Sequence, residues 1–186
     1  MSTEHYQFFS QSLEETRSKV SDDLHINQLL LANVITVFEY YLQSILVSLI
    51  QADKKLLIRL AESRKFRNQT IPISKAIAND MQQYTVAMVK SLVFHNLSEV
   101  EPLFKEALGV PILISKDIID LINVRHDLVH RSGYTKTGKR HEVAKSKVLE
   151  AVAIVKSLIR LIDEQIVRKY HSILGVQISS TALGDR

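Results

Sequence analysis

The sequence contains no cysteine, which excludes a disulfide framework, a thiolate zinc site and a cysteine nucleophile together. Glycine and proline are scarce, 5 and 3 in 186 residues, too few for the turns of an all-β fold of this length. No basic stretch leads into an apolar core at the start. Met1 to Ser21 is polar and carries Glu4, Glu14 and Glu15, so no secretory signal is expected. Nor is there a strong excess of one charge: Lys and Arg number 24 against 20 Asp and Glu, a net +4, which permits an anionic partner without demanding one. What remains is 46% hydrophobic and 24% charged, a globular composition rich in good helix formers.

The chain reads as about six or seven helical segments with no convincing run of strands. The first spans Glu4 to Val20 and the second, long and apolar, His25 to Gln51. The second is greasy enough to raise a membrane span. However, Asn33, Thr36, Glu39 and Gln43 recur every three or four residues as one polar stripe, which fits a helix buried on most sides in a soluble bundle better than lipid. Asp53 is placed to cap a third helix, Lys54 to Ser63, and Arg64 to Pro72 reads as a loop. Helical pieces follow over Ser74 to Asp80 and Gln83 to His95. The string Ser98-Glu99-Val100-Glu101 has the pattern of a capping box opening a helix that ends near Gly109. Pro111 breaks the chain and Ser115 can cap the next helix, Lys116 to about Arg131. The last helix, Val143 to Tyr170, carries an apolar stripe of Val148, Val152, Val155, Ile159, Ile162 and Ile166. The expectation is one all-α domain over residues 1–170, a compact bundle, with a tail over 171–186.

Chemistry concentrates in Arg125-His126-Asp127-Leu128-Val129-His130. With Ile118 at zero and about 100° per residue, Leu121, Ile122, Leu128 and Val129 form one apolar stripe, with Arg125 near 340° at its centre. His126 and His130, near 80° and about 120°, share a flank, and Asp120 and Asp127 fall on an opposite face expected to be wet. A guanidinium stays charged, so a desolvated Arg125 needs a carboxylate, carbonyls or an anionic ligand. Glu39, the lone charge in the middle of the second helix, is the internal candidate; an arginine reaching solvent along its alkyl stem is the alternative. The histidine spacing would suit a helical metal site, but no third ligand is identified and no metal is expected. The following loop contains Gly133-x-x-x-x-Gly138-Lys139, near a phosphate-binding loop, yet Arg140 stands where a magnesium-holding hydroxyl is required and a helix precedes it. It is either a mobile basic flap over a polyanion or a solvated turn.

These residues resemble the HEPN superfamily, whose signature is an arginine, four to six residues and a histidine, late in an all-α domain. Here the string is Arg125 to His130, with four residues between and a polar residue, His126, after the arginine. Arg131-Ser132-Gly133-Tyr134-Thr135-Lys136-Thr137-Gly138 is similar to the basic turn of the RiboL-PSP-HEPN type. Phe38-Glu39-Tyr40-Tyr41-Leu42 and the segment around Leu103-Phe104-Lys105 add to a likeness covering most of residues 1–170. The resemblance implies a metal-independent, cofactor-free endoribonuclease, often a toxin of a toxin–antitoxin or antiviral defence system, or else a non-catalytic module for dimerisation or for binding RNA or protein. It implies His130 as general acid or base, Arg125 on the scissile phosphate and His126 assisting. Glu39 and Asp127 would support them, and Arg131, Lys136, Lys139 and Arg140 would contact RNA. Arg125 and His130 lie about 140° apart on one ideal helix, so a site shared across a homodimer is expected. A cytoplasmic setting, no membrane, and an antitoxin or defence-system partner complete the expectations.

Overall fold

The computed structural model describes residues 2–71, 73–78 and 81–175. The chain runs α1 (Glu4–Ser18), α2 (Leu24–Ala52), α3 (Lys54–Glu62), α4 (Ile73–Ala78), α5 (Met81–Lys90), α6 (Leu97–Leu103), a π-helical segment (Phe104–Leu108), α7 (Lys116–His130) and α8 (Lys145–Tyr170). Seven of these α-helices have seven residues or more, and the six-residue α4 bridges α3 and α5. Among the described residues the only β pairing is an isolated bridge between Tyr134 and Arg140. The all-α bundle expected from composition and periodicity is what forms. Of the tail, residues 171–175 continue in turns; the expected remainder, 176–186, lies outside the described residues.

Helix α2 is the centre of the bundle. Leu31, Ile35, Phe38, Leu42, Ile45 and Leu49 are each fully buried, and α1, α3, α5, α7 and α8 all pack against it. Burial of each such side chain contributes roughly 1.5–3 kcal/mol. By length and composition α2 could cross a membrane, but its polar stripe is spent on internal partners. Asn33 donates to the Thr16 hydroxyl at 2.8 Å and Gln43 to the Lys90 carbonyl at 3.1 Å. Asp23 starts the helix by accepting from the backbone of His25 and Ile26. Asp53 ends it and at once caps α3 through the Lys55 amide at 2.7 Å.

The segment from Asn96 corrects the expected capping box. The helix starts two residues early, at Leu97, with Asn96 as an N-cap whose side chain takes no backbone amide. Ser98 therefore sits inside the first turn and donates to Asn96 Oδ1 at 2.7 Å, while Glu99 pairs with Lys65 across the surface. After Leu103 the turn widens into the π segment and closes at Gly109, whose φ of 61° is the left-handed ending expected there. A second correction concerns α5, which stops at Lys90. The hydroxyl of Ser91 takes the Met88 carbonyl at 2.7 Å, and residues 91–96 run in turns rather than in helix.

One buried carboxylate ties three helices together. Asp163 on α8, 2% exposed, accepts from the Thr3 amide at 3.1 Å, from the Thr3 hydroxyl, and from the Tyr41 hydroxyl at 2.9 Å. Thr3 is itself the cap of α1, accepting from the Tyr6 amide. Burial, and then the Asp163 charge, push the Tyr41 hydroxyl well above its ordinary range. Asp163→Ala strands these donors in the core and should lower the unfolding free energy by about 2–4 kcal/mol. The readout is the denaturation midpoint at unchanged slope; a midpoint equal to wild type removes Asp163 from this role.

Candidate functional site

Helix α7 carries the cluster, and its sequence explains both ends. Ser115 caps the start through the Ile118 amide at 3.4 Å. At the other end the amides of Arg131 and Gly133 both reach the Asp127 carbonyl at 3.0 Å, and the chain reverses through left-handed Ser132 and Gly133, φ 51° and 85°. The φ of 85° favours glycine at position 133, where an added Cβ would meet Gln28 Nε2 on α2 only at ordinary contact distance. Only Ile118 and Leu121 of the expected apolar stripe are fully buried. Ile122 and Leu128 pack at the edge of the core, and Val129 is 51% exposed. The stripe thus runs from core to open surface, with Arg125 at the boundary.

Arg125 is mostly buried, its side chain 16% exposed, and its Nη2 lies 3.8 Å from Glu39 Oε1. That is ion-pair range but too long for a hydrogen bond. Its Nε is buried and has no hydrogen-bond partner. Glu39 is instead engaged by His95, whose Nδ1 lies 2.8 Å from the same oxygen. The internal pairing foreseen for Arg125 is therefore present, but loose and shared. His126 and His130 stack side by side, ring centroids 4.8 Å apart, with His130 exposed and His126 partly buried. Burial, then repulsion from Arg131 and His130, hold His126 below the ordinary histidine range, against the pull of Asp127. His126 is accordingly a neutral imidazole at pH 7, able to accept a proton.

Asp127 overturns its expected place on a wet face. Its side chain is 14% exposed, paired with Arg131 and, at 3.0 Å, with His141 Nε2. The reason is the chain reversal after α7, which folds the following loop back over that face. Residues 133–141 form a hydrogen-bonded hairpin, with Thr135 and Lys139 joined at 2.8 Å and His141 to Gly133 at 2.8 Å. Gln28 anchors it to α2 through the His141 carbonyl at 2.8 Å. Lys136, Lys139 and Arg140 all project into solvent from this hairpin, and none has an ion-pair partner among the described residues.

The site thus contains two matched units. Glu39 serves Arg125 and His95; Asp127 serves Arg131 and His141. All of the sequence-predicted residues lie on α7, its facing stretch of α2 and the hairpin, so the fold brings them to one edge of the bundle. His95, His141 and Gln28 were not foreseen. His95 was read as the end of a helix, and nothing in its spacing links it to Glu39, 56 residues away. A concavity of about 380 Å³ bordered by Arg64, Lys65, Pro102 and Glu106 includes none of these residues. No family model matches the chain, and neither a curated protein nor a solved structure matches it.

Two outcomes follow from the charges. In an NMR titration the His126 ring should protonate at a lower pH than a free histidine, and Arg131→Ala should move it upward; titration above the free value contradicts the geometry. The Asp127 carboxyl is held below the ordinary carboxylate range, first by the His141 hydrogen bond and then by that of Arg131. A depressed carboxyl contributes stability that is complete above its ordinary value and lost as pH falls through the lowered one. The hairpin clamp is therefore intact at neutral pH and loosens only in acid. Asp127→Asn at pH 7 should speed amide exchange over residues 133–141 while leaving α8 protected; unchanged hairpin exchange rejects the clamp.

Proposed function

We propose that the protein is a metal-independent endoribonuclease of the HEPN kind, cleaving RNA by acid–base catalysis at Arg125, His126 and His130. The observation that carries this is a mostly buried guanidinium, not hydrogen-bonded to its carboxylate, on the same helix as two adjacent imidazoles and just ahead of a basic hairpin. Strand cleavage needs a base to take the 2′-hydroxyl proton as that oxygen attacks phosphorus. It needs an acid to protonate the departing 5′-oxygen as the P–O bond breaks, leaving a 2′,3′-cyclic phosphate. It also needs positive charge on the phosphorane oxygens. Exposed His130 is the group that reaches substrate as acid or base, neutral His126 assists, and Arg125 supplies the charge. Arg131, Lys136, Lys139 and Arg140 would hold the flanking backbone electrostatically.

Two features favour a homodimer as the working unit. The cluster lies on an open edge rather than in a cavity, and exposed Val129 and Ile119 leave apolar surface on the same helix. A two-fold pairing of α7 would cover that surface and place two sets of histidines and arginines around one cleft. The biological setting proposed is a cytoplasmic toxin or antiviral effector with a protein antagonist.

Purified protein should cut single-stranded RNA in excess chelator. Arg125→Ala or His130→Ala should reduce the rate by at least about 100-fold, with circular dichroism unchanged. Expression should also slow growth, with relief by His130→Ala. If both variants cut as wild type does, the site assignment fails. Protein that binds RNA but never cuts it over a broad panel points instead to a non-catalytic binding module.

A further inference from the structure

Glu39 Oε1 has two claimants. Oε1 lies 2.8 Å from His95 Nδ1 and 3.8 Å from Arg125 Nη2. A carboxylate only accepts, so Nδ1 is the protonated nitrogen of His95. An arginine with an unopposed carboxylate normally closes on it with two parallel N–H···O bonds of about 2.7–2.9 Å. Closing that gap means moving the carboxylate and Nη2 together by about 1 Å. The Arg125 Nε also stands buried and without a partner, and orphaned buried donors are rare and have causes. Glu39 has a second oxygen and lone pairs to spare, so His95 does not block the arginine by occupancy; its bond to Oε1 fixes where the carboxylate sits.

We infer that His95 is a positioning residue, which keeps the Arg125 guanidinium available to a phosphate by holding the Glu39 carboxylate short of a closed pair with it. This rests on the proposed role of Arg125 as a phosphate ligand. The backbone around His95 is built to hold the ring in place. Phe94 and Leu97 on either side are buried at 2% and 5% exposure. The Asn96 amide closes on the Val93 carbonyl at 3.0 Å, and the Leu97 amide on the His95 carbonyl at 2.9 Å. A turn pinned in this way fixes where the His95 side chain leaves the backbone, and the ring closes on Glu39. A charge on that ring would add to the effects that lower His126, so His95 belongs to the α7 cluster. Glu39 in turn keeps Arg125 from swinging free. The guanidinium is restrained by charge but not consumed by it.

The arrangement predicts a dependence that a merely structural histidine would not show. Removing the His95 donor should let Glu39 capture Arg125 and weaken anion binding. Removing the Glu39 charge as well should give the binding back. The probe is a fully 2′-O-methylated single-stranded RNA oligonucleotide, which lacks the attacking hydroxyl and cannot be cut. Its Kd with the full chain is measured by fluorescence anisotropy at fixed salt, since phosphate contacts are salt-dependent.

Arg125→Ala should weaken binding about tenfold or more, the usual size for loss of a charge-assisted hydrogen bond. His95→Leu should weaken it comparably. His95→Asn, which retains a donor near the position of Nδ1, should bind as wild type does. The double variant His95→Leu, Glu39→Gln should recover most of the loss, whereas a fold defect would be compounded by a second substitution. Thermal melts of each variant establish that it is folded, and His95→Ala replaces His95→Leu if the latter is not. Weakening by Arg125→Ala with wild-type binding by His95→Leu overturns the role of His95 and leaves Arg125 standing. Failure of Glu39→Gln to restore binding overturns it equally. Wild-type binding by Arg125→Ala overturns the phosphate role of Arg125, and the inference with it.

Discussion

Helix α2 must be covered on almost every side, and the rest of the molecule is arranged to do it. Its buried leucines, isoleucines and Phe38 leave little surface that can face water, and five other helices supply the cover. Each polar group on such a helix has to find a partner at a seam between covering elements, because an unpaired one would be expensive to bury. Gln28 finds the hairpin, Asn33 finds α1, Glu39 finds the turn after α5, Tyr41 finds α8 and Gln43 finds the end of α5. The candidate site lies at two of these seams. It is thus tied to the central, most enclosed helix of the fold, which is what a constellation of charged side chains needs if its geometry is to persist.

The sequence was most informative where local chemistry decides the outcome. The extents of α2, α3 and α7, the caps at Asp53 and Ser115, and the stripe on α8 follow from periodicity and from side chains that bond within a few residues. Helix projection puts Arg125 at the centre of an apolar stripe, and the structure places it where that stripe passes from core to surface. It failed for Asp127 because the wheel assumes that the face opposite the core is wet, whereas the reversal at Ser132 and Gly133 brings a hairpin back over it. His95 was illegible for a different reason. A histidine after a helix carries no mark of a carboxylate more than fifty positions earlier, and only the turn at residues 91–96 makes the two meet.

The pairing of one carboxylate with one arginine and one histidine occurs twice along α7, with different consequences. Asp127 is saturated by close contacts and acts as a clamp on the hairpin. Glu39 is shared unevenly, and the arginine receives the weaker part. The same three kinds of group therefore form a saturated clamp in one case and a looser arrangement in the other, only two residues apart on α7. The difference is one of distance, set by which backbone segment presents the histidine.

The corner at Asp53 has a mechanical meaning. Because one residue both ends α2 and starts α3, no linker separates the two helices, and they form a single bent rod. A long lever of this kind, fixed at its bend by a side-chain bond, resists twisting between its arms. The turn that follows α3 hands its orientation on through the hydrogen bonds of Arg64 to Glu106 of the π segment. The π segment is thereby tied to α3 and, through the corner, to α2, the helix that carries Glu39.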